Sequence, residues 1–332
     1  MSWLVQPRLL NGPFDDPGVL LDFRFGRRAI LFDLGDLGAV SSRELVRVSH
    51  AFVSHAHLDH VAGFDRLLRV CLHRPGPLAL VGPPGFVERV HHRLRGFTWN
   101  LLDASSADFR IDVIEFDGVR PARTAQFRAR EAFAPREAAP PRLAAGLVLE
   151  EENLRIEAVA LDHGIPCLAF ALREGQRVNV RRGALEELGL PVGPWLGPAK
   201  AAARRGEPDD LAIAVPGRRA VALGELKARA FRIGPGQAVA YVTDAAAHAE
   251  NRGRIVDLAR DVDELFIEAV FLERDRPLAT ATRHLTARDA GELARLARVR
   301  NLRVFHHSAR YLADPQALAR EAEEAFRAGA PA

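Results

Sequence analysis

Ser54-His-Ala-His-Leu-Asp-His60 places His55, His57, Asp59 and His60 within six consecutive residues. The run follows the apolar Ala51-Phe-Val53. It precedes apolar residues at helical spacing (Val61, Phe64, Leu67, Leu68, Cys71, Leu72), so it stands at a strand-to-helix junction. His55 and His57 are two apart and point the same way from an extended chain. Asp59 and His60 are adjacent and diverge, so one ion cannot readily collect all four donors, whereas two neighbouring ions can. Imidazole and carboxylate without thiolate suit Zn²⁺ first, with Mn²⁺ or Fe as alternatives. A solvated histidine-rich turn is the competing reading, but it gives no reason for the placement between two regular elements.

Outward from this run, short apolar strands alternate with amphipathic helices. Ala29-Ile-Leu-Phe-Asp33 and Ala51-Phe-Val-Ser54 read as strands. Leu78 to Val81 is another, followed by a Gly-Pro-Pro-Gly break and a helix from about Phe86 to Leu94. From Phe109 to Phe170 the period becomes two, with pairs such as Ile111/Val113, Leu147/Leu149 and Leu154/Ile156. The Arg-, Ala- and Pro-rich stretch 120–142 predicts a strand flanked by surface loop. Residues 189–210 (GLPVGPWLGPAKAAARRGEPDD) carry Gly-Pro steps and little periodicity, and predict an excursion from the core.

Strands and helices then resume. Val239 to Thr243, Leu265 to Ile267 and Leu302 to Phe305 read as strands, with a helix near 255–259. Thr286 starts a helix with Asp289 as capping-box partner, and Pro315 is placed to open the last helix. Two sets of strands, each with helices on its outside, predict an α/β layered sandwich whose halves share one core, a single domain over 1–332.

Composition narrows the function classes. Lys plus Arg number 46 and Asp plus Glu 43, a net charge of +3. That excess is too small to argue for nucleic-acid binding, which depends on where cations cluster. Two cysteines, Cys71 and Cys167, lie in apolar runs and read as core residues, against a disulfide-stapled secreted protein. No stretch approaches the roughly 20 apolar residues that span a bilayer. Nor does the first segment carry a signal-peptide pattern, so the expectation is a cytoplasmic protein.

The HxHxDH run matches the signature of the metallo-β-lactamase superfamily, and the remainder of the chain resembles the ribonuclease Z family. Leu161-Asp-His-Gly-Ile-Pro166 is similar to that family's segment with a lone metal histidine, and Val239-Ala-Tyr-Val-Thr-Asp244 to its strand ending in a bridging aspartate. Thr243 stands where that family usually has glycine. Arg283-His-Leu-Thr-Ala287 resembles its His-Ser-Thr-Ala element, and Phe305-His-His-Ser-Ala-Arg-Tyr311 its closing motif.

The resemblance implies a four-layer αββα sandwich, the metallo-β-lactamase fold, with two metal ions. One would be held by His55, His57 and His163, the other by Asp59, His60 and His306, with Asp244 between them and room for a shared water or hydroxide. It further implies cleavage of precursor tRNA at the 3′ end. His284, oriented by Glu268, would protonate the departing 3′ oxygen, and Asp59 would serve catalysis from its metal. His307 would be supporting or surface, and Asp33 and Asp36 would support the ligands or simply close a turn.

By the same resemblance, 189–210 is a short arm that grips RNA through Lys200, Arg204 and Arg205. Ser308 and Arg310 would contact the scissile phosphate, and the chain would form a homodimer. His50, His73, His91, His92 and His248 have no spacing that recommends them. Two alternatives remain: a two-metal hydrolase of a small substrate (a cyclic or simple phosphodiester, lactone or thioester), and a metal-stabilised binding module.

Overall fold

Ala29-Ile-Leu-Phe32 forms a strand without an exposed residue, because both of its faces are covered. In the computed structural model, which describes residues 3–24 and 26–328, it is the third strand of an eight-stranded sheet. The strands run in chain order: Val5–Leu9 (β1), Val19–Phe23 (β2), Ala29–Phe32 (β3), Val48–Phe52 (β4), Gly76–Gly82 (β5), Phe109–Phe116 (β6), Pro121–Arg128 (β7) and Pro135–Ala138 (β8). β3 to β6 are parallel neighbours; the flanking pairs are antiparallel.

The chain then makes Leu147–Glu151 (β9), Leu154–Asp162 (β10) and Pro166–Glu174 (β11). An insertion follows with Gln176–Val180 (β12), Ala212–Ile213 (β13), Val221–Ala222 (β14) and Phe231–Pro235 (β15). Ala238–Val242 (β16), Glu264–Glu268 (β17) and Leu302–Phe305 (β18) return to the second sheet, whose order is β18-β17-β16-β11-β10-β9. β16, β17 and β18 are parallel to one another.

Helices cover the outer faces: Ser42–Leu45 (α1), Leu58–Val61 (α2), Phe64–Cys71 (α3) and Phe86–Arg95 (α4) on the first sheet. Ala184–Glu187 (α5), Leu196–Arg204 (α6) and Leu223–Glu225 (α7) belong to the insertion. Ala249–Leu258 (α8), Arg276–Thr282 (α9), Ala287–Leu296 (α10) and Ala317–Arg327 (α11) pack on the second sheet. This is the expected four-layer αββα order.

Residue size sorts the layers. In β11, Leu168, Phe170 and Leu172 enter the core between the sheets, while Ala169 and Ala171 face the helices. In β16, Val239 and Tyr241 point inward, and Ala238 and Ala240 outward. Large side chains fill the inter-sheet space, and alanines let the helices approach. Phe32 of the first sheet stacks on Phe170 at 5.5 Å between centroids and packs on Tyr241 at 5.8 Å, tying the halves together. α10 carries the expected capping box of Thr286 and Asp289. A Cβ at Gly291 would strike the Ala322 carbonyl, so glycine is what lets α11 lie against α10.

Several expectations need correction. The helical run after His60 breaks at Gly63, dividing α2 from α3. A Cβ there would collide with the Gly35 carbonyl, so a close loop contact dictates the break. Stretch 120–142 holds two strands, β7 and β8, joined through a tight turn. The last helix starts at Ala317, so Pro315 lies outside it.

The largest difference concerns 189–210. These residues are the middle of an insertion spanning 176–235, standing on the antiparallel pair β12–β15. Leu196–Arg204 is a helix, not irregular loop. Ala199, Ala202 and Ala203 join Leu185, Trp195 and Phe231 in a small core of the insertion's own. Alanine hid the signal: it buries on a small helix yet contributes little to apolar periodicity.

Candidate metal centre

The chemistry-bearing residues collect where parallel strands end, the edge at which sheets of this kind form clefts. Asp33 follows β3, the SHAHLDH run follows β4, Asp244 follows β16, Glu268 ends β17 and His306 follows β18. His163 arrives in the turn joining β10 to β11, opposite the first set. Asp33, Asp244 and His306 hold φ of 57°, 29° and 61°, left-handed values that turn each side chain abruptly out of its strand.

Three overlapping donor groups result: His55, His57, His163 and Asp244; Asp59, His60 and His306; and Asp244, Glu268, His284 and His306. Asp244 belongs to the first and the third. Its Oδ2 is 3.5 Å from His55 Nε2 and 3.4 Å from His163 Nε2, and its Oδ1 is 3.5 Å from His60 Nε2. Asp59 Oδ2 is 3.4 Å from His60 Nε2 and 3.2 Å from His306 Nε2. Ligand bonds of about 2.1 Å at tetrahedral angles separate ligand atoms by about 3.4 Å, so these gaps are of a size that donors around a bound cation would keep. The seven residues named from sequence are thus brought together at one site.

Two further observations test the fit of a cation. His55 Nε2, His60 Nε2 and His306 Nδ1 are buried without a hydrogen-bond partner, although such atoms are seldom left unmatched. Asp33, Asp59, Asp244 and Glu268 meet histidines but, among the described residues, no Lys or Arg. The site therefore calls for positive charge. Burial opposes protonation of His306, yet Asp244 and the Asp59 hydrogen bond push its pKa up to about 10. Burial, then the neighbouring His60 charge, pushes His55 down to about 2, which keeps it in the neutral form a metal ligand needs. A divalent cation meets the same demand, so the residues fit a metal cofactor.

Supporting contacts aim the ligands. Asp33, fully buried, accepts from the Ser54 backbone N–H (2.7 Å), the Ser54 hydroxyl (2.8 Å), the Tyr241 hydroxyl (2.7 Å) and His60 Nδ1 (2.8 Å). It thereby fixes the His60 tautomer and presents Nε2 to the site. His163 Nδ1 lies 2.9 Å from the Arg283 carbonyl, and His55 Nδ1 lies 3.1 Å from the Ser54 hydroxyl and 3.6 Å from Cys167 Sγ. Cys167 is buried as expected, but it is also a neighbour of a donor, which its apolar sequence context concealed. Thr243 donates to Asp244 Oδ1 at 2.8 Å, a contact glycine could not make. Asp36 instead accepts from the Gly38 N–H in an exposed turn.

In the third group, His284 Nδ1 sits 2.7 Å from Glu268 Oε2. Glu268 is fully buried, and its other oxygen accepts from the N–H groups of Ala245 (2.8 Å) and Leu285 (3.2 Å). Burial favours a neutral His284, but the Glu268 carboxylate outweighs it and raises the pKa. His307 is buried with Nδ1 2.9 Å from the Ala269 carbonyl, away from the donors. His248 caps α8, and His50 lies half-buried beside Arg28. The Ser308 hydroxyl accepts from the Arg310 N–H, and the Arg310 side chain is exposed.

This chain is 35% identical to ribonuclease Z of Deinococcus radiodurans over 316 residues, 93% of this chain and 92% of the relative. It is 30% identical to ribonuclease Z of Haloferax volcanii over 321 residues, 93% and 84%. The chain belongs to the ribonuclease Z family. No family model matches it. In structure it is similar to the human tRNase Z short form (TM-score 0.50, 16% identity, 92% of this chain and 93% of that one). It is similar too to the metallo-β-lactamase fold protein YhfI of Bacillus subtilis (TM-score 0.52, 15% identity, 97% and 92%). The fold is that of the metallo-β-lactamases.

In this ribonuclease Z-family chain the insertion bears cations that were not foreseen. A groove of about 1200 Å³ at its base is lined by Arg24, Arg181, Arg182, Lys200, Lys227 and Arg232, with no carboxylate in its lining. Lys227 is engaged by Asp209, and Arg181 by the Ala228 carbonyl. Lys200 stands where an RNA contact was expected. Arg204 is half-buried, and Arg205 is bound by Glu152 and Glu207 and so is already neutralised. The Arg181-Arg182 doublet was the available signal; Arg24 and Arg232 reach the groove only through folding. Among the described residues no helix is long and apolar enough to cross a membrane.

Proposed function

We propose that this chain is a metal-dependent endoribonuclease that cuts precursor tRNA at its 3′ end. The observation that carries this reading is His284 on Glu268 beside a complete set of metal donors, in a chain of the ribonuclease Z family. That membership favours RNA over the lactone, thioester or small-diester alternatives. The same reading takes the cofactor to be two Zn²⁺ ions, with Mn²⁺ or Fe able to substitute, and the protein to work as a homodimer.

His55, His57 and His163 would hold one ion and Asp59, His60 and His306 the other, with Asp244 serving both. When bound, such a pair of cations lowers the pKa of water and neutralises charge on a phosphodiester under displacement. The chain's own part is to orient and to move a proton. Glu268 takes up His284 Nδ1, which leaves Nε2 free to give a proton to the departing 3′ oxygen. The Glu268 carboxylate raises the ring's pKa, the direction that leaving-group protonation needs. In the same reading Arg310 and Ser308, close in sequence to His306, would contact the scissile phosphate. Lys200 and the groove it lines would meet phosphates farther along the RNA.

The test is a zinc-loaded sample incubated with a 3′-extended tRNA precursor beside the Asp59→Ala, His60→Ala variant. Metal-dependent cleavage near the discriminator base, lost in the variant, is the expected result. An intact precursor together with hydrolysis of bis-p-nitrophenyl phosphate would overturn the tRNA assignment.

A further inference from the structure

On the side of the centre away from His284 lies a cleft of about 290 Å³ that the residues assigned so far do not use. His55 and His57 form its inner wall. Pro84 and Arg89 bound it on one side, from the turn before α4 and the first turn of that helix, and Ile165 and Pro166 of the His163 turn bound it on the other. Ring centroids step from His57 to His163 over 5.4 Å and from His163 to His284 over 4.8 Å. The His163 imidazole therefore separates the cleft from the proton donor.

The cleft's chemistry is specific. Pro84, Pro166 and Ile165, the last 41% exposed, turn apolar surface to solvent at a site otherwise made of imidazoles. Arg89 supplies the cation. It is exposed, its Nη1 donates at 3.0 Å to the Gly85 carbonyl, and no carboxylate pairs with it among the described residues. Its neighbours differ. Glu88 is engaged by Arg123, and Arg93, four residues on, gives Nε and Nη2 to Asp65 at 2.8 and 2.9 Å. An apolar rim with one unmatched guanidinium suits a heterocycle joined to a phosphate.

Direction follows from the reaction. Water loses one proton to solvent as its oxygen bonds to phosphorus, and the bond from phosphorus to the 3′ oxygen breaks. That oxygen takes the His284 proton, which solvent then restores to the ring, and the phosphate stays on the 5′ end of the released trailer. The tRNA body must lie on the His284 side, so the trailer continues past His57 on the other. We propose that this cleft holds the first trailer nucleotide, its base against Pro84, Ile165 and Pro166 and its next phosphate on Arg89. The placement rests on the endoribonuclease reading above.

Two substrates test it: a precursor with a three-nucleotide trailer, and the same tRNA closed by a methyl phosphodiester, which keeps the scissile phosphate and removes the trailer nucleosides. The wild type should favour the first in kcat/KM. Arg89→Ala should shrink that preference about tenfold, the cost of one charged hydrogen bond, and Arg89→Lys should recover part of it. A preference unchanged in Arg89→Ala overturns the proposal, as does an equal loss on both substrates. If the wild type cuts neither substrate, the endoribonuclease reading fails. The cleft is then judged by calorimetric titration of the zinc-loaded protein with a 5′-phosphorylated trinucleotide. Binding weakened about tenfold by Arg89→Ala upholds a nucleotide site; equal binding removes it.

Discussion

The donor groups at the strand ends and the cationic insertion are built on opposite principles. In the centre most side chains are pinned, His57 being the exposed exception. Asp33 takes four hydrogen bonds, Glu268 is held by two backbone N–H groups, and three residues accept left-handed backbone to aim their side chains. The insertion stands on two strands, has a core made largely of alanine and small aliphatic residues, and presents Arg182 and Arg232 to solvent beside Arg24 of the first half. Bond-making chemistry needs donors fixed to fractions of an ångström. Holding a polyanion needs charge in roughly the right place, because the attraction is long-ranged and carries little directional demand. One region can therefore be read from residue identities, and the other only from where they gather.

The sharpest break of that contrast comes at His284. His284→Ala should lower kcat on a cleavable precursor by about 10²–10⁴-fold with little change in KM, as removal of a proton donor does. An effect on KM alone would make His284 part of the grip. Next is Asp33→Ala, which strands the Ser54, Tyr241 and His60 donors in the core. Zinc affinity, measured by competition with a chelator, should fall about 10–100-fold, and unfolding in denaturant should show a loss of roughly 3 kcal/mol. A variant as stable as the wild type would mean that the network is not what aims His60.

On the insertion the effects should be gentler and differently distributed. Arg182→Ala or Arg232→Ala should each raise KM a few-fold and reduce the slope of log affinity against log salt by about one per lost phosphate contact. A drop in kcat instead would tie the groove to the chemistry and erase the distinction. Last is a pH effect on stability, remote from both regions. Burial, and then the Arg28 charge, push the native His50 pKa down to about 4 from its ordinary 6.5. The unfolded chain therefore binds more protons between those values, and stability should fall as pH drops from about 6.5 to about 4. The loss should be on the order of 2 kcal/mol. His50→Gln should flatten that segment of the pH–stability curve; an unchanged curve would assign the loss elsewhere.

Much of the centre is legible before folding because its residue types are costly anywhere else. His55, His57, Asp59 and His60 can share a strand-to-helix junction only if something rewards their proximity. His163, Asp244 and His306 become visible as their partners through resemblance to a family, not through spacing. Other contacts leave no trace of either kind. Cys167 sits in an apolar run and yet touches His55, and Thr243 departs from the usual glycine and yet donates to Asp244. Arg205 looks as free as Lys200 until Glu152, far away in the chain, is folded against it.

By itself the sequence determined the layered α/β class and the cluster of His55, His57, Asp59 and His60, because apolar period and ligand chemistry are local properties of a chain; resemblance to a family added His163, Asp244, His306 and the His284–Glu268 pair. Only the tertiary structure decided that the insertion runs from 176 to 235, that Asp33 takes four donors, and that Arg89 faces the His57 side of the site unmatched while Arg93 is neutralised. Those outcomes depend on which distant side chains meet. Contacts between residues far apart in sequence are fixed by packing the two sheets and their helices together, not by any local pattern.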